Sequence, residues 1–439
     1  MIIFYFLFFI FYFFLSWFRP KWALVLICAL LPIYQFRFKL FWLPLTVLEA
    51  MILVLFFVYL LRNTKEITKI RKKIGSWRWP ILAWLAVATL AMFIAPDLWA
   101  GAGVWRAYFI EPVLFLIVFL SLVKSRRDLN LILAALGVSA LYSSVWAIGQ
   151  RFFGGGVLSQ EVLGAPKIWR ATGPFSHPNF LGLYLGPITL LFFSQIVSGL
   201  RLKIKDLRKI IFYSFCILLP IIAVILARSE GAVLGIAAGL IFLGLINKTS
   251  RKWVGLSLVI LLLVISFLPL VRDYIWQKAT FQDLSGQLRV NIWQGTFSLI
   301  KVSPVLGVGL GGYQKLIPGY QEPFYQPLSG QLVSVETHPY PHNIFLTIWC
   351  ELGLAGLIIF CWILIKFFRD GFKKSKLVNS HSFFVISLMG AMVTLIIHGC
   401  VDTPYFKNDL AVLFWLIIGI HYEITKLLRN TKSYESTKN

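Results

Sequence analysis

Apolar runs of membrane-spanning length, one after another, are what most constrain this chain. They cover 2–18, 22–35, 41–61, 80–95, 105–123, 129–148, 178–198, 210–227, 231–247, 254–271, 343–365, 383–401 and 409–426. In lipid every backbone N–H and C=O must be satisfied within the protein, which helices achieve and open sheets do not. The expected fold class is an all-α polytopic membrane protein of about 12–13 transmembrane helices. The run 22–35 is short, with Arg19, Lys21, Arg37 and Lys39 on its flanks, so it reads as a tilted or partial span and leaves the count open by one. A composition of 59% hydrophobic and only 14% charged residues excludes an ordinary soluble domain. The first 17 residues lack a basic n-region and a small-residue cleavage site, and are read as an uncleaved span. Cys28, Cys216, Cys350, Cys361 and Cys400 lie in or beside apolar runs without close pairing, so disulfides are not expected to define the fold.

The formal charge of +24 invites a nucleic-acid reading, but its placement points to anionic membrane lipids. Segment 62–79 holds Arg62, Lys65, Lys69, Arg71, Lys72, Lys73 and Arg78 against Glu66. Lys124, Arg126 and Arg127 form the next basic connection, followed by Arg201, Lys203, Lys205, Arg208 and Lys209. Lys248, Arg251 and Lys252 form another, and Lys366, Arg369, Lys373, Lys374 and Lys376 the last. Every second connection is basic, so these are expected to be cytoplasmic. The alternate connections then face outward, including the nearly charge-balanced stretch 272–342. Residues 1–160 read as N-terminal membrane helices, 161–427 as a membrane core containing the extracytoplasmic loop 272–342, and 428–439 as a cytoplasmic tail. Within the loop, Leu288, Ile292, Phe297 and Ile300 have helical spacing, and 287–302 is expected to be an interfacial helix.

This topology gathers polar residues from distant parts of the chain at the outer face. They are Arg170, Arg228, Arg289, His338 and His342 with Asn343, and His398 with Asp402. Two or three arginines suit a pyrophosphate, because guanidinium groups stay charged and form paired hydrogen bonds with phosphate oxygens. A histidine beside them suits removal of a proton from an attacking hydroxyl. Bland readings stand beside these. Arg228 could anchor in headgroups, and Arg289 could be a solvated loop charge. Pro339 and Pro341 rule out a regular helix between His338 and His342, so a helical metal pair is not expected. His177 is expected to fix its turn with Pro178 and Asn179. Glu351 is read as a structural polar group, and Asp402 as a partner for an arginine or a turn cap. Gly307-Val308-Gly309-Leu310-Gly311-Gly312 looks like a dinucleotide loop but lacks a βαβ context. It is read as a flexible turn allowing close backbone approach, conceivably near substrate.

His342-Asn343-Ile344-Phe345-Leu346 followed by Glu351-Leu352-Gly353-Leu354-Ala355-Gly356 resembles the signature of the O-antigen ligase and O-antigen polymerase membrane family. Pro304–Gly309, Arg289 with Trp293, Arg228-Ser229-Glu230-Gly231, Arg170-Ala171-Thr172-Gly173 and His398 with Asp402 fit in order and spacing, over about 165–415. The resemblance implies a glycosyltransferase-C-like fold. It implies transfer of a glycan from undecaprenyl pyrophosphate to an acceptor hydroxyl at the extracytoplasmic face of the bacterial inner membrane, without metal or cofactor. The acceptor would be a glycan, lipid or protein. By position, Arg228 and Arg289 would bind pyrophosphate and His342 would be catalytic, with Arg170, His338, Asn343 and Asp402 as further substrate-binding candidates. Glu230 departs from the glycine common after the serine and adds a negative charge there. The rival readings are a surface-polysaccharide polymerase of the same family and a transporter or flippase of lipid-linked sugar. A non-catalytic assembly subunit has no positive feature in its support.

Overall fold

A computed structural model of the chain describes residues 2–64, 73–159, 168–201, 206–246, 250–325, 332–333, 337–375 and 380–436. Lys65, Glu66, Lys69, Arg71, Lys72, Lys203, Lys205, Lys248, Lys376 and part of loop 272–342 lie outside the described residues. In chain order the helices are α1 (Ile2–Phe18), α2 (Pro20–Ala29), α3 (Val47–Arg62), α4 (Arg78–Phe93), α5 (Leu98–Trp105), α6 (Glu111–Leu122), α7 (Arg126–Phe153), α8 (Pro178–Arg201) and α9 (Leu207–Leu226). They continue with α10 (Glu230–Ile246), α11 (Arg251–Phe267), α12 (Pro269–Ala279), α13 (Leu284–Val302), α14 (Gly312–Leu316), α15 (Ile344–Ser375), α16 (Ser380–Gly399) and α17 (Asn408–Ser436).

The protein is an all-α polytopic membrane protein. Among the described residues, six helical stretches are long and apolar enough to cross a membrane, and shorter apolar helices accompany them. The run 22–35 forms only the ten-residue α2 and a 3₁₀ turn at Leu31–Gln35. At about 1.5 Å per residue, ten residues are too short to cross the hydrocarbon core. The run 41–61 starts as an antiparallel hairpin, Arg37–Leu40 on Leu43–Thr46, and becomes helical only at Val47, after the Thr46–Glu49 capping box. The run 254–271 is bent by 105° between α11 and α12, where Pro269 opens the second helix.

Two packing devices position the site. Along α10, Gly231, Gly235 and Gly239 recur every four residues and face α16. A Cβ would lie 2.6 Å from the His398 ring at Gly231, 2.7 Å from the Thr394 carbonyl at Gly235 and 2.4 Å from the Thr394 hydroxyl at Gly239. Small residues at this spacing let the two helix backbones meet closely, which seats His398 on the start of α10. The second device is a break in α15 at Gly353, where φ is +68°. Segment 304–311 fills the break. Val308 and Gly309 donate to the Cys350 and Glu351 carbonyls at 2.7 and 3.1 Å, and Leu354 donates to Pro304 and Val305 at 3.1 Å. Helix carbonyls freed by the break are thereby satisfied. Glu351 Oε1 also accepts from Gly311 N at 3.1 Å, so this carboxylate is structural. The glycine-rich segment is consequently a clamped strap between α13 and α15, not a flexible turn.

Candidate functional site

Alternation of the helices brings several of their ends together. The hairpin Val157–Ser159 on Ile168–Arg170 ends at Arg170. Helix α9 ends just before Arg228, α10 begins just after it, α12 ends beside Lys278, α13 carries Arg289 and α16 ends at Gly399, next to His398. Arg170, Asn179, Arg228, Glu230, Gly231, Lys278, Ser285, Arg289, His398, Val401 and Asp402 line one polar cleft.

Arg228 occupies the left-handed region (φ +49°), as does His342 (φ +50°). Such a conformation costs a non-glycine residue roughly 1–2 kcal/mol, and strain of this kind is concentrated at functional positions. The Arg228 side chain is exposed and has no hydrogen-bond or ion-pair partner among the described residues. Arg289 reaches the Val401 carbonyl at 3.3 Å and the Ser285 hydroxyl at 2.9 Å, with no carboxylate at ion-pair distance among the described residues. Arg170 is arranged differently. Its Nε donates to the Ala227 carbonyl at 2.8 Å, and its Nη2 donates to Asn179 Oδ1 at 2.8 Å and the Arg228 carbonyl at 3.2 Å. It clamps the turn that presents Arg228. The charge of Glu230 is met by Lys278 at 2.8 Å, which also pairs with Asp283 at 2.9 Å. Lys278 and Ser285 were missed in the sequence. The signal available was that Glu230 required a counter-charge.

His342 Nδ1 lies 3.4 Å from Asp402 Oδ1, which also accepts from Thr403 N at 2.8 Å. The partner of Asp402 is thus a histidine rather than an arginine. Burial alone would raise the Asp402 carboxyl, but the His342 hydrogen bond and charge, His398 and the Thr403 N–H together hold it well below the usual carboxylate range. Buried Asp402 Oδ2, Ser229 Oγ and His398 Nδ1 have no hydrogen-bond partner among the described residues. His338 lies edge-to-face on His342, with ring centroids 4.8 Å apart. No three His, Cys, Asp or Glu side chains among the described residues converge on a metal-binding arrangement.

Asn343 belongs to the fold. Its Oδ1 accepts from Phe345 N and Leu346 N at 3.0 and 3.1 Å, capping α15, and its Nδ2 donates to the Cys400 carbonyl at 3.0 Å. That pair of contacts ties the His342 turn to the Asp402 loop, a structural role that the substrate-binding reading of the sequence did not include. His177 Nδ1 accepts from Asn179 N at 3.2 Å, fixing the turn as expected. Although the His177 ring is partly open to solvent, desolvation by its neighbours is the main cause lowering it to about 4. Asp402 opposes it, and Arg170, His342 and His338 reinforce it.

Residues 215–361 match the family model described as O-antigen ligase. Over that stretch the chain is O-antigen ligase-like. No curated protein matches it. The match contains Arg228, Arg289, His338, His342 and the Gly353 strap, while Arg170, His398 and Asp402 lie outside it. The helical architecture is that of a multi-pass membrane protein, and the family matched over 215–361 points to a glycosyltransferase-C-like fold and a glycosyltransferase-type enzyme of bacterial surface-polysaccharide synthesis. The O-antigen ligase family implies, in general terms, a lipid-linked glycan donor and an acceptor.

Proposed function

We propose that this enzyme transfers a glycan from undecaprenyl pyrophosphate to an acceptor hydroxyl at the extracytoplasmic face of the inner membrane. The observation that carries this reading is the charge state of the cleft. Arg228 and Arg289 have no carboxylate partner among the described residues, and they lie beside a histidine–aspartate pair. A diphosphate supplies the missing negative charge, with charge-assisted hydrogen bonds from both guanidinium groups. Asp402 holds Nδ1 of His342 and leaves Nε2 to take the acceptor proton. The acceptor oxygen then bonds to the anomeric carbon as the bond from that carbon to the pyrophosphate oxygen breaks. The leaving lipid pyrophosphate takes the electron pair, and Arg228 and Arg289 stabilise its charge.

The test is glycan transfer by the full chain in lipid nanodiscs, using defined undecaprenyl-pyrophosphate glycans and a panel of acceptors, with products read by mass spectrometry. The expected result is a new glycosidic bond made by wild type and lost in His342→Ala, while donor binding persists. The acceptor that works separates ligase from polymerase. Movement of the lipid-linked glycan across vesicles with no bond formed would replace this reading by transport.

A further inference from the structure

The loop that carries Asp402 contains a charge the reaction does not use. Lys407 is only 9% exposed, and its Nζ makes no hydrogen bond among the described residues. Three rings surround it instead. Their centroids lie 3.9 Å away for Phe180, 4.7 Å for Tyr34 and 4.8 Å for Phe175, with Asp409 Oδ1 at 3.7 Å. Tyr34 belongs to the turn after α2, and Phe175 and Phe180 flank the His177–Asn179 turn of the cleft. One ammonium therefore joins the N-terminal helices, the Arg170–Asn179 segment and the Asp402 loop.

Neighbours in the same loop are anchored the same way. Tyr405 accepts from Trp84 Nε1 at 2.9 Å and Trp415 Nε1 at 3.1 Å, and donates to the Tyr108 carbonyl at 2.9 Å. Phe406 packs at 5.0 Å on Tyr340, which lies between His338 and His342 in sequence. Asn408 donates to Glu49 at 2.9 Å. Residues 402–409 are all buried, so the loop is held as firmly as a helix core.

We propose that Lys407 is a positioning residue for the Asp402–His342 pair, its boxed ammonium fixing the loop that presents the carboxylate. A lysine is rarely buried without hydrogen-bonding partners. Replacing a buried ion pair by neutral groups of similar size is often harmless or stabilising to a fold. A cation retained here is accordingly better explained by geometry than by stability. Faces of aromatic rings attract a cation from directions a single carboxylate does not cover, which fixes its place in three dimensions. Burial pushes the ammonium's pKa down, while Asp409 and Asp402 favour its charged form. The inference rests on the proposed catalytic role of His342 and gives the N-terminal helices a task in it.

The test uses full-length protein in nanodiscs and three readouts: steady-state glycan transfer, thermal unfolding, and hydrogen exchange of the 400–407 backbone. The double variant Lys407→Met with Asp409→Asn removes both charges and leaves neither unpaired. Phe180→Leu removes the nearest ring, and Phe180→Tyr keeps a π face. The double variant and Phe180→Leu are expected to unfold at nearly the wild-type temperature, to exchange faster at 400–407, and to lose about ten- to a hundredfold in kcat with the donor KM little changed. Phe180→Tyr is expected to retain wild-type kcat. Wild-type kcat in folded double variant and in Phe180→Leu would overturn the proposal. If the double variant does not fold, Phe180→Leu alone decides by the same criterion. Retained transfer in His342→Ala would instead sink the catalytic reading, and exchange at 400–407 would still report whether the box holds the loop.

Discussion

Arg106 and Arg228 are the same residue put to opposite uses. Arg106 sits in the N-terminal helices, in a π turn, Arg106–Ile110, between α5 and α6. It pairs with Glu49 at 3.3 Å and Glu111 at 3.1 Å and donates to the Pro44 carbonyl at 2.8 Å. Both carboxylates are buried, and the group is closed to any further anion. Arg228 lies in a strained turn, exposed, with backbone support from Arg170 and no carboxylate of its own. The N-terminal cluster neutralises its charge internally and stabilises the fold. The cleft leaves positive charge uncompensated and is built to receive a negative ligand.

The difference can be broken by mutation. The largest effect is expected for His342→Ala, a loss of about 10²- to 10⁴-fold in transfer rate, measured on folded protein that still binds the donor. Arg106→Ala should do the reverse, costing roughly 3–5 kcal/mol of stability by leaving buried carboxylates unpaired. Denaturation of the purified chain measures that cost, and an Arg106→Ala protein as stable as wild type would erase the contrast. Arg228→Ala should leave stability unchanged, since the exposed guanidinium has no hydrogen-bond or ion-pair partner among the described residues and alanine keeps the same strained backbone. It should weaken donor handling by about 1.5–3 kcal/mol, the usual value of a hydrogen bond to a charged group, read as kcat/KM for the lipid-linked donor.

The smallest effect concerns pH. His177 is lowered to about 4 from its ordinary 6.5, so between these values the unfolded chain binds more protons than the folded one. The folded state therefore loses stability as pH falls from 6.5 toward 4, by a small amount because the His177 ring is solvent-exposed. His177→Gln should flatten the fall in stability over that window in acid titrations followed by thermal unfolding.

Much of the cleft was legible in one dimension. Alternating basic connections placed Arg228, Arg289 and His342 at one end of the helices, and the structure brings Arg228 and Arg289 into a cleft whose Asp402 pairs with His342. Charge bias works here because it is a property of the connections and survives errors in helix boundaries. Partners were less legible. Asp402, read as a partner for an arginine or a turn cap, pairs with a histidine, and Asn343, offered to substrate, is engaged in a helix cap. Which groups pair depends on angles and distances of an ångström or two, and hydropathy has no resolution at that scale. Boundaries failed where a break carried local punctuation, as at Pro269 and Gly353. The glycine ladder 231–235–239 was also readable, and its spacing could have suggested the close approach of His398.

By itself the sequence determined that the chain spans a membrane many times, that its connections alternate in charge, and that guanidinium and imidazole groups share one end. Those properties follow from solvation, since lipid and water sort side chains residue by residue. Only the tertiary structure decided which cations are neutralised and which are left for a ligand, that Glu230 is answered by Lys278, and that Lys407 sits within three rings. Those outcomes arise from packing between segments distant in the chain, and they are fixed by shape rather than by any local preference of the chain.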